Sequence, residues 1–165
     1  GHEMGHGFDD QGRKTDGHGE QRDWWTEEDG KAFEALTADL EAQYNEFEPL
    51  PGLHVNGKLT MGENIGDLTG ITMAYAAYKK SLNGKEAPII DGLTGDQRFF
   101  LSYGQIWKRK FREDALRSRL TSDPHSPGEY RANGIVRNFD AWYEAFNVQP
   151  GDALYLPPEK RVKIW

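Results

Sequence analysis

The chain opens on Gly1-His2-Glu3-Met4-Gly5-His6, in which His2, Glu3 and His6 form the pattern His-Glu-x-x-His. On a helix, side chains four residues apart share one face with Cβ atoms about 5–6 Å apart, so two imidazoles can reach a single metal ion. Glu3 follows His2 directly and projects beside such an ion. A carboxylate there can take a proton from a water that the ion has acidified, which is the chemistry of metal-assisted hydrolysis. The competing reading is two surface histidines on an acidic helix.

Two imidazoles are one ligand short of a hydrolytic zinc site, which normally has three protein ligands and a fourth position open to water. A third histidine six residues after the second, the metzincin arrangement, is excluded because position 12 is Gly12. His18 and His54 fall in Gly- or Asn-containing loops and read as surface residues. Glu63 is the better supplier, because it opens a long helical stretch and has Asp67 one turn further along the same face. Glu63 would ligate, and Asp67 would accept the ring N–H of His2 or His6 and fix its tautomer. An ordinary acidic helix start, favoured by the helix dipole, explains the same two residues.

The elements that must hold these groups are mostly helices. Residues 8–22 are rich in Gly and Asp and read as a loop. Thr26 with Asp29 is an N-cap and a capping-box variant, and Phe33, Leu36, Leu40, Tyr44 and Phe47 follow at helical spacing. Asn56-Gly57 marks a tight turn in a short hairpin or loop. Leu68, Ile71, Tyr75, Tyr78 and Leu82 define the helix that Glu63 opens, ended by Asn83-Gly84. Thr94 with Gln97 caps a further helix carrying Phe99, Phe100, Tyr103, Trp107 and Phe111. Short helices are expected over 113–120, 130–137 and 138–146, and residues 154–165 read as an ordered strap.

With 165 residues, one domain is expected. A net charge of -7 argues against nucleic acid or an anionic membrane surface as partner. No apolar run reaches 18 residues, so no membrane span is predicted. The absence of cysteine rules out thiolate ligands. A chain that begins one residue before a metal ligand leaves that ligand no preceding helical turn, so a fragment with its upstream part missing is expected.

Four segments together resemble the neprilysin family of zinc metallopeptidases: residues 2–12 (HEMGHGFDDQG), 23–26 (DWWT), 62–67 (GENIGD) and 125–131 (HSPGEYR), in an order that matches to the terminal Trp165. The resemblance implies a mainly α fold (α+β overall). This would be the C-terminal portion of a thermolysin-like zincin (gluzincin) catalytic domain spanning 1–165, with few or no strands. It implies one Zn²⁺ held by His2, His6 and Glu63, with Glu3 as catalytic base and Asp67 orienting a ligand histidine. His125 matches the donor to the developing oxyanion, and Asp123 holds its ring. Arg131 matches the arginine that grips a substrate backbone carbonyl. Trp107, by spacing a core residue, matches a wall of the same pocket.

The implied activity is endopeptidase or oligopeptidase hydrolysis of peptides, with the upstream portion of the same protein as a structural partner. The alternative is a zinc-binding fragment that is not catalytic without that portion. A third reading, a helical interaction module with a chance motif, predicts no bound zinc. Missing animal-type cysteines point to a bacterial-type member, periplasmic or extracellular, with the cytoplasm as the alternative. Gly66 stands where relatives often have Ala, a change expected to loosen the helix by up to about 1 kcal/mol.

Overall fold

The computed structural model describes residues 1–165. Seven α-helices form it: α1 (His2–Gly5), α2 (Glu27–Asn45), α3 (Met61–Ser81), α4 (Gly95–Ile106), α5 (Glu113–Ser122), α6 (Gly128–Val136) and α7 (Asp140–Phe146), with short 3-10 turns at His6–Phe8, Gly12–Lys14 and Pro158–Lys160. Pairing between extended segments is limited to three isolated bridges, Thr15 with Gln21, Leu50 with Leu53 and Ile90 with Leu93. The stretch around Asn56-Gly57 is therefore a loop and not a hairpin. Asn45 Oδ1 accepts its Gly57 N–H at 2.8 Å. No helix is long and apolar enough to cross a membrane.

Local signals set the helix ends. Thr26 accepts the Asp29 N–H at 3.1 Å, but the Asp29 carboxylate accepts the Thr26 hydroxyl at 2.5 Å, so the reciprocal half of a capping box is absent. At α4 both halves are present: Thr94 Oγ1 accepts the Gln97 N–H and Gln97 Oε1 accepts the Thr94 N–H. Asn83 and Gly84 both take positive φ just beyond α3, as a chain leaving a helix through left-handed residues requires. The helix expected to reach Phe111 instead stops at Ile106, with Trp107 as its C-cap. That early stop turns Trp107 from a helix-face residue into one at a helix end.

α3 is the axis of the molecule and packs against α1, α2 and α6, while α4 packs against α6 and α7. Leu40 and Tyr44 of α2, Ile65, Leu68 and Ile71 of α3, Phe100 of α4 and Ile135 of α6 form one continuous buried core. Tyr44 also donates its hydroxyl to the Tyr130 carbonyl at 3.0 Å, which joins α2 to α6.

The tail is the strap that the sequence suggested. Gln43 and Asn138 exchange amide hydrogen bonds of 3.0 and 2.8 Å; Gln43 also donates to the Lys160 carbonyl, and Asn138 Oδ1 accepts the Val162 N–H. Every polar atom of this buried knot is satisfied, so holding the tail leaves none of these groups unpaired. Trp165 then packs edge-on to Trp25 at 5.9 Å and near Phe33 at 6.0 Å, closing the face where Arg13 lies over both rings.

Leu40→Ala removes a side chain with no exposure from this core. It is expected to cost about 2–5 kcal/mol, against about 1 kcal/mol for loss of the α4 cap in Thr94→Ala. Denaturant midpoints of the two variants check the order.

Candidate metal centre and active site

The first helix has only four residues and takes its position from α3. Close approach is possible because α3 has glycine at 66 and 70. A Cβ at Gly70 would lie 3.1 Å from the His2 backbone nitrogen, and one at Gly66 would lie 2.9 Å from His2 Cε1. Gly66, read in the sequence only as a loosening of the helix, is thus the gap into which the His2 ring fits.

Three imidazoles converge on the Glu63 carboxylate. Oε2 lies 3.2 Å from His2 Nε2 and 3.4 Å from His125 Nε2, and Oε1 lies 3.4 Å from His6 Nε2. The His2 and His6 rings are 4.7 Å apart and nearly perpendicular. Ligand atoms of His2, His6 and Glu63 all fall within 4.8 Å of one another. Four ligands at zinc's usual bond lengths sit about 3.3 Å from each other, so this spacing suits a tetrahedral ion.

Each ring also has a carboxylate at its other nitrogen. His6 Nδ1 is 2.9 Å from Asp9 Oδ2, and His125 Nδ1 is 2.7 Å from Asp123 Oδ1. His2 Nδ1 is 2.9 Å from Asp67 Oδ1, a close charge contact that lacks the alignment of a full hydrogen bond. A proton held at Nδ1 leaves the Nε2 lone pair facing the centre. Neutral rings so arranged put three lone pairs against the Glu63 oxygens, an arrangement that a cation between them relieves. The donor set therefore fits a dication.

Asp67 thus serves His2. The carboxylate on His6 is Asp9, which the sequence reading did not single out; its i, i+3 spacing from His6 was the available signal. Asp9 is held in turn by the N–H groups of Gln11 and Gly12, at 2.9 and 2.7 Å.

The Asp67 carboxylate beside Nδ1 is the main influence on His2 and holds its pKa above the usual imidazole value, with burial opposing. Burial pushes the Asp123 carboxyl up, but hydrogen bonds from the His125 backbone and ring and the nearby Arg119 outweigh it and leave the pKa low.

Arg131 is buried beneath the cluster. Its Nε and Nη2 donate to Asp67 at 2.7 and 2.8 Å, and Nη2 also reaches Glu63 at 3.2 Å. Burial would lower its pKa, but the bonds to Asp67 more than offset this and keep the guanidinium charged. Only Nη1 has no protein acceptor, so any contact with a substrate falls to that nitrogen. Tyr103 donates its hydroxyl to the Arg131 carbonyl at 2.9 Å; burial raises its pKa and keeps that proton in place.

Trp107 lies 4.2 Å from the Arg131 guanidinium. With His2, Asp67, Ile71 and Tyr103 it lines a cavity of about 550 Å³ beside the cluster. Glu3 is exposed and makes no hydrogen bond with the protein. His18 and His54 stay outside: His18 is an exposed loop residue, and His54 faces the Asn45 carbonyl and Glu48.

A mainly helical fold, with one histidine on α1, a second at its C-cap and both facing a glutamate on α3, defines the thermolysin-like zincin class. Within that class the chain belongs to peptidase family M13, whose model matches residues 1–162. It is 38% identical to endothelin-converting enzyme 1 of Bos taurus and 37% identical to neprilysin of Homo sapiens. Both matches cover the whole chain but only 22% of the relative. A crystal structure of the zinc metalloprotease Zmp1 of Mycobacterium tuberculosis with an inhibitor is 54% identical and superposes with a TM-score of 0.97, covering all of this chain and 26% of that one. PepO of Lactobacillus rhamnosis, 39% identical, superposes at 0.86 over all of this chain and 25% of its own.

Because Asp67 raises the pKa of His2, protons compete for Nε2 at a higher pH than they would at a free imidazole. Zinc affinity, measured against a chromophoric chelator, is expected to weaken as pH falls from about 8 to about 6. Asp67→Asn should move the onset of that loss to lower pH. An unmoved onset would show that Asp67 does not control the ring.

Proposed function

We propose that residues 1–165 are the C-terminal part of the catalytic domain of a zinc-dependent endopeptidase that hydrolyses internal bonds of peptides. The observation that carries this reading is the convergence of His2, His6 and Glu63, with a carboxylate behind each imidazole. Family membership supports it.

Those three residues would hold a zinc ion, which when bound would supply a Lewis acid and acidify a water beside it. Glu3, free of hydrogen bonds with the protein, accepts the proton of the attacking water and passes it to the leaving amine. His125, when doubly protonated, donates Nδ1–H to Asp123 and keeps Nε2–H for the carbonyl oxygen as charge develops there. Arg131 offers Nη1 to a substrate backbone carbonyl, which holds the scissile bond over the centre. Trp107 walls the cavity that receives a neighbouring side chain.

A second reading is that this chain binds zinc but turns over no peptide until more of the protein is joined to it. It is favoured by the length of the relatives, of which these residues span about a quarter. Assays of the 165-residue chain on a quenched peptide, alone and within a longer polypeptide, separate the two.

Glu3→Gln is expected to retain zinc and lose hydrolysis, whereas Glu63→Ala is expected to lose the metal itself, as read by elemental analysis. His125→Ala should lower kcat by about 10²–10³ with zinc retained. Wild-type turnover in Glu3→Gln would remove Glu3 from the role of base.

A further inference from the structure

Directly after the proposed ligand Glu63 and directly after the proposed oxyanion donor His125 stand two polar residues, Asn64 and Ser126. They are among the least exposed in the molecule, at 1% and 4%. Neither touches the cluster, and the mechanism above uses neither. They touch each other: Ser126 Oγ donates to Asn64 Oδ1 at 2.8 Å, across 62 residues of sequence. Asn64 Nδ2 donates to Thr60 Oγ1 at 3.0 Å, and Thr60 Oγ1 donates to the Asn56 carbonyl at 3.0 Å.

The direction of this chain is determined. Thr60 commits its only proton to a backbone carbonyl, so it must accept from Asn64. That turns the Asn64 amide so that its oxygen faces Ser126, and Ser126 must donate. Ser126 and Asn64 are both nearly inaccessible, so breaking the bond between them leaves a buried hydroxyl or amide oxygen without water or a partner.

Apart from the 3.4 Å contact of its Nε2 with Glu63, His125 has no side-chain tie to α3. It is 43% exposed at the side chain and lies in a turn between Pro124 and Pro127. Asp123 fixes the ring's rotation, but Asp123 belongs to the same turn and moves with it. The bond from Ser126 to Asn64 is the one side-chain hydrogen bond that ties residues 123–127 to α3. We propose that Ser126, Asn64 and Thr60 are positioning residues that set the distance between His125 Nε2 and the Glu63 end of α3, and so place the oxyanion donor. This rests on the catalytic reading of His125 and Glu63 given above.

The test is Ser126→Ala in the zinc-loaded protein, with ¹³C relaxation of the His125 ring as a readout independent of turnover. The expected result is a fall in kcat of about 10-fold or more, with KM and zinc content unchanged and greater ring mobility with or without metal. In a His125→Ala background the same substitution should have no further effect on kcat. Thr60→Val, two links away, should act in the same direction and less strongly, which guards against misfolding of the first variant. An unchanged His125 ring in Ser126→Ala overturns the proposal whatever the turnover shows. An equal loss of kcat in the His125→Ala background overturns it too, since Ser126 would then act by another route. If instead the ring loosens while His125→Ala leaves kcat intact, the positioning stands and the oxyanion role of His125 is what fails.

Discussion

The structure depends on one carboxylate that faces three imidazoles. Glu63 accepts no hydrogen bond from its own helix and receives instead Nε2 of His2, His6 and His125 together with Nη2 of Arg131. Such a group is costly to desolvate, and Glu63 is only 15% exposed at its side chain. Arg131 Nη2 compensates as a charged donor, whereas the imidazoles do so only when they carry a proton at Nε2 or share a cation with Glu63. Residues from α1, the turn after α5 and α6 all meet at this turn of α3.

The pair between Arg131 and Asp67 is best understood in the same terms. Both side chains are nearly inaccessible, at 8% and 3%. Burying such a pair seldom adds net stability, because loss of hydration cancels most of the attraction. Its consequence here is geometric. Asp67 is held by two nitrogens of a planar fork while it faces His2 Nδ1, so the ring behind one proposed ligand has a fixed support. Arg131 is in turn held by Tyr103 through its own carbonyl and by contact with Trp107. Rigidity passes outward from the carboxylates to the cavity wall.

Carboxylates outnumber cations at this centre. Asp9, Glu63, Asp67 and Asp123 surround it, against Arg131 below and Arg119 behind Asp123. A cluster so biased favours a dication. Membership of peptidase family M13 is consistent with that bias.

How much of this was legible before folding differs by residue. Periodicity and caps found α2, α3 and α4, because apolar spacing and Thr caps are local properties. The pattern at His2, Glu3 and His6 was equally local, since one turn of helix sets its spacing. The end of α4 was not legible: its apolar spacing continues past Trp107, but the helix stops at Ile106. Glu63 was readable as a candidate only, because nothing in its neighbourhood distinguishes a ligand from an acidic helix start. Motif order along the chain favoured the ligand reading by resemblance. Tertiary structure alone decided which carboxylate serves which ring, that Gly66 is room for His2, that Arg131 has one nitrogen left to give, and that Asn64 meets Ser126. The physical reason is that residue types and spacing are written along the chain. Distances between α1, α3 and the turn at 123–127 arise only when the shared core and the buried hydrogen bonds close around α3.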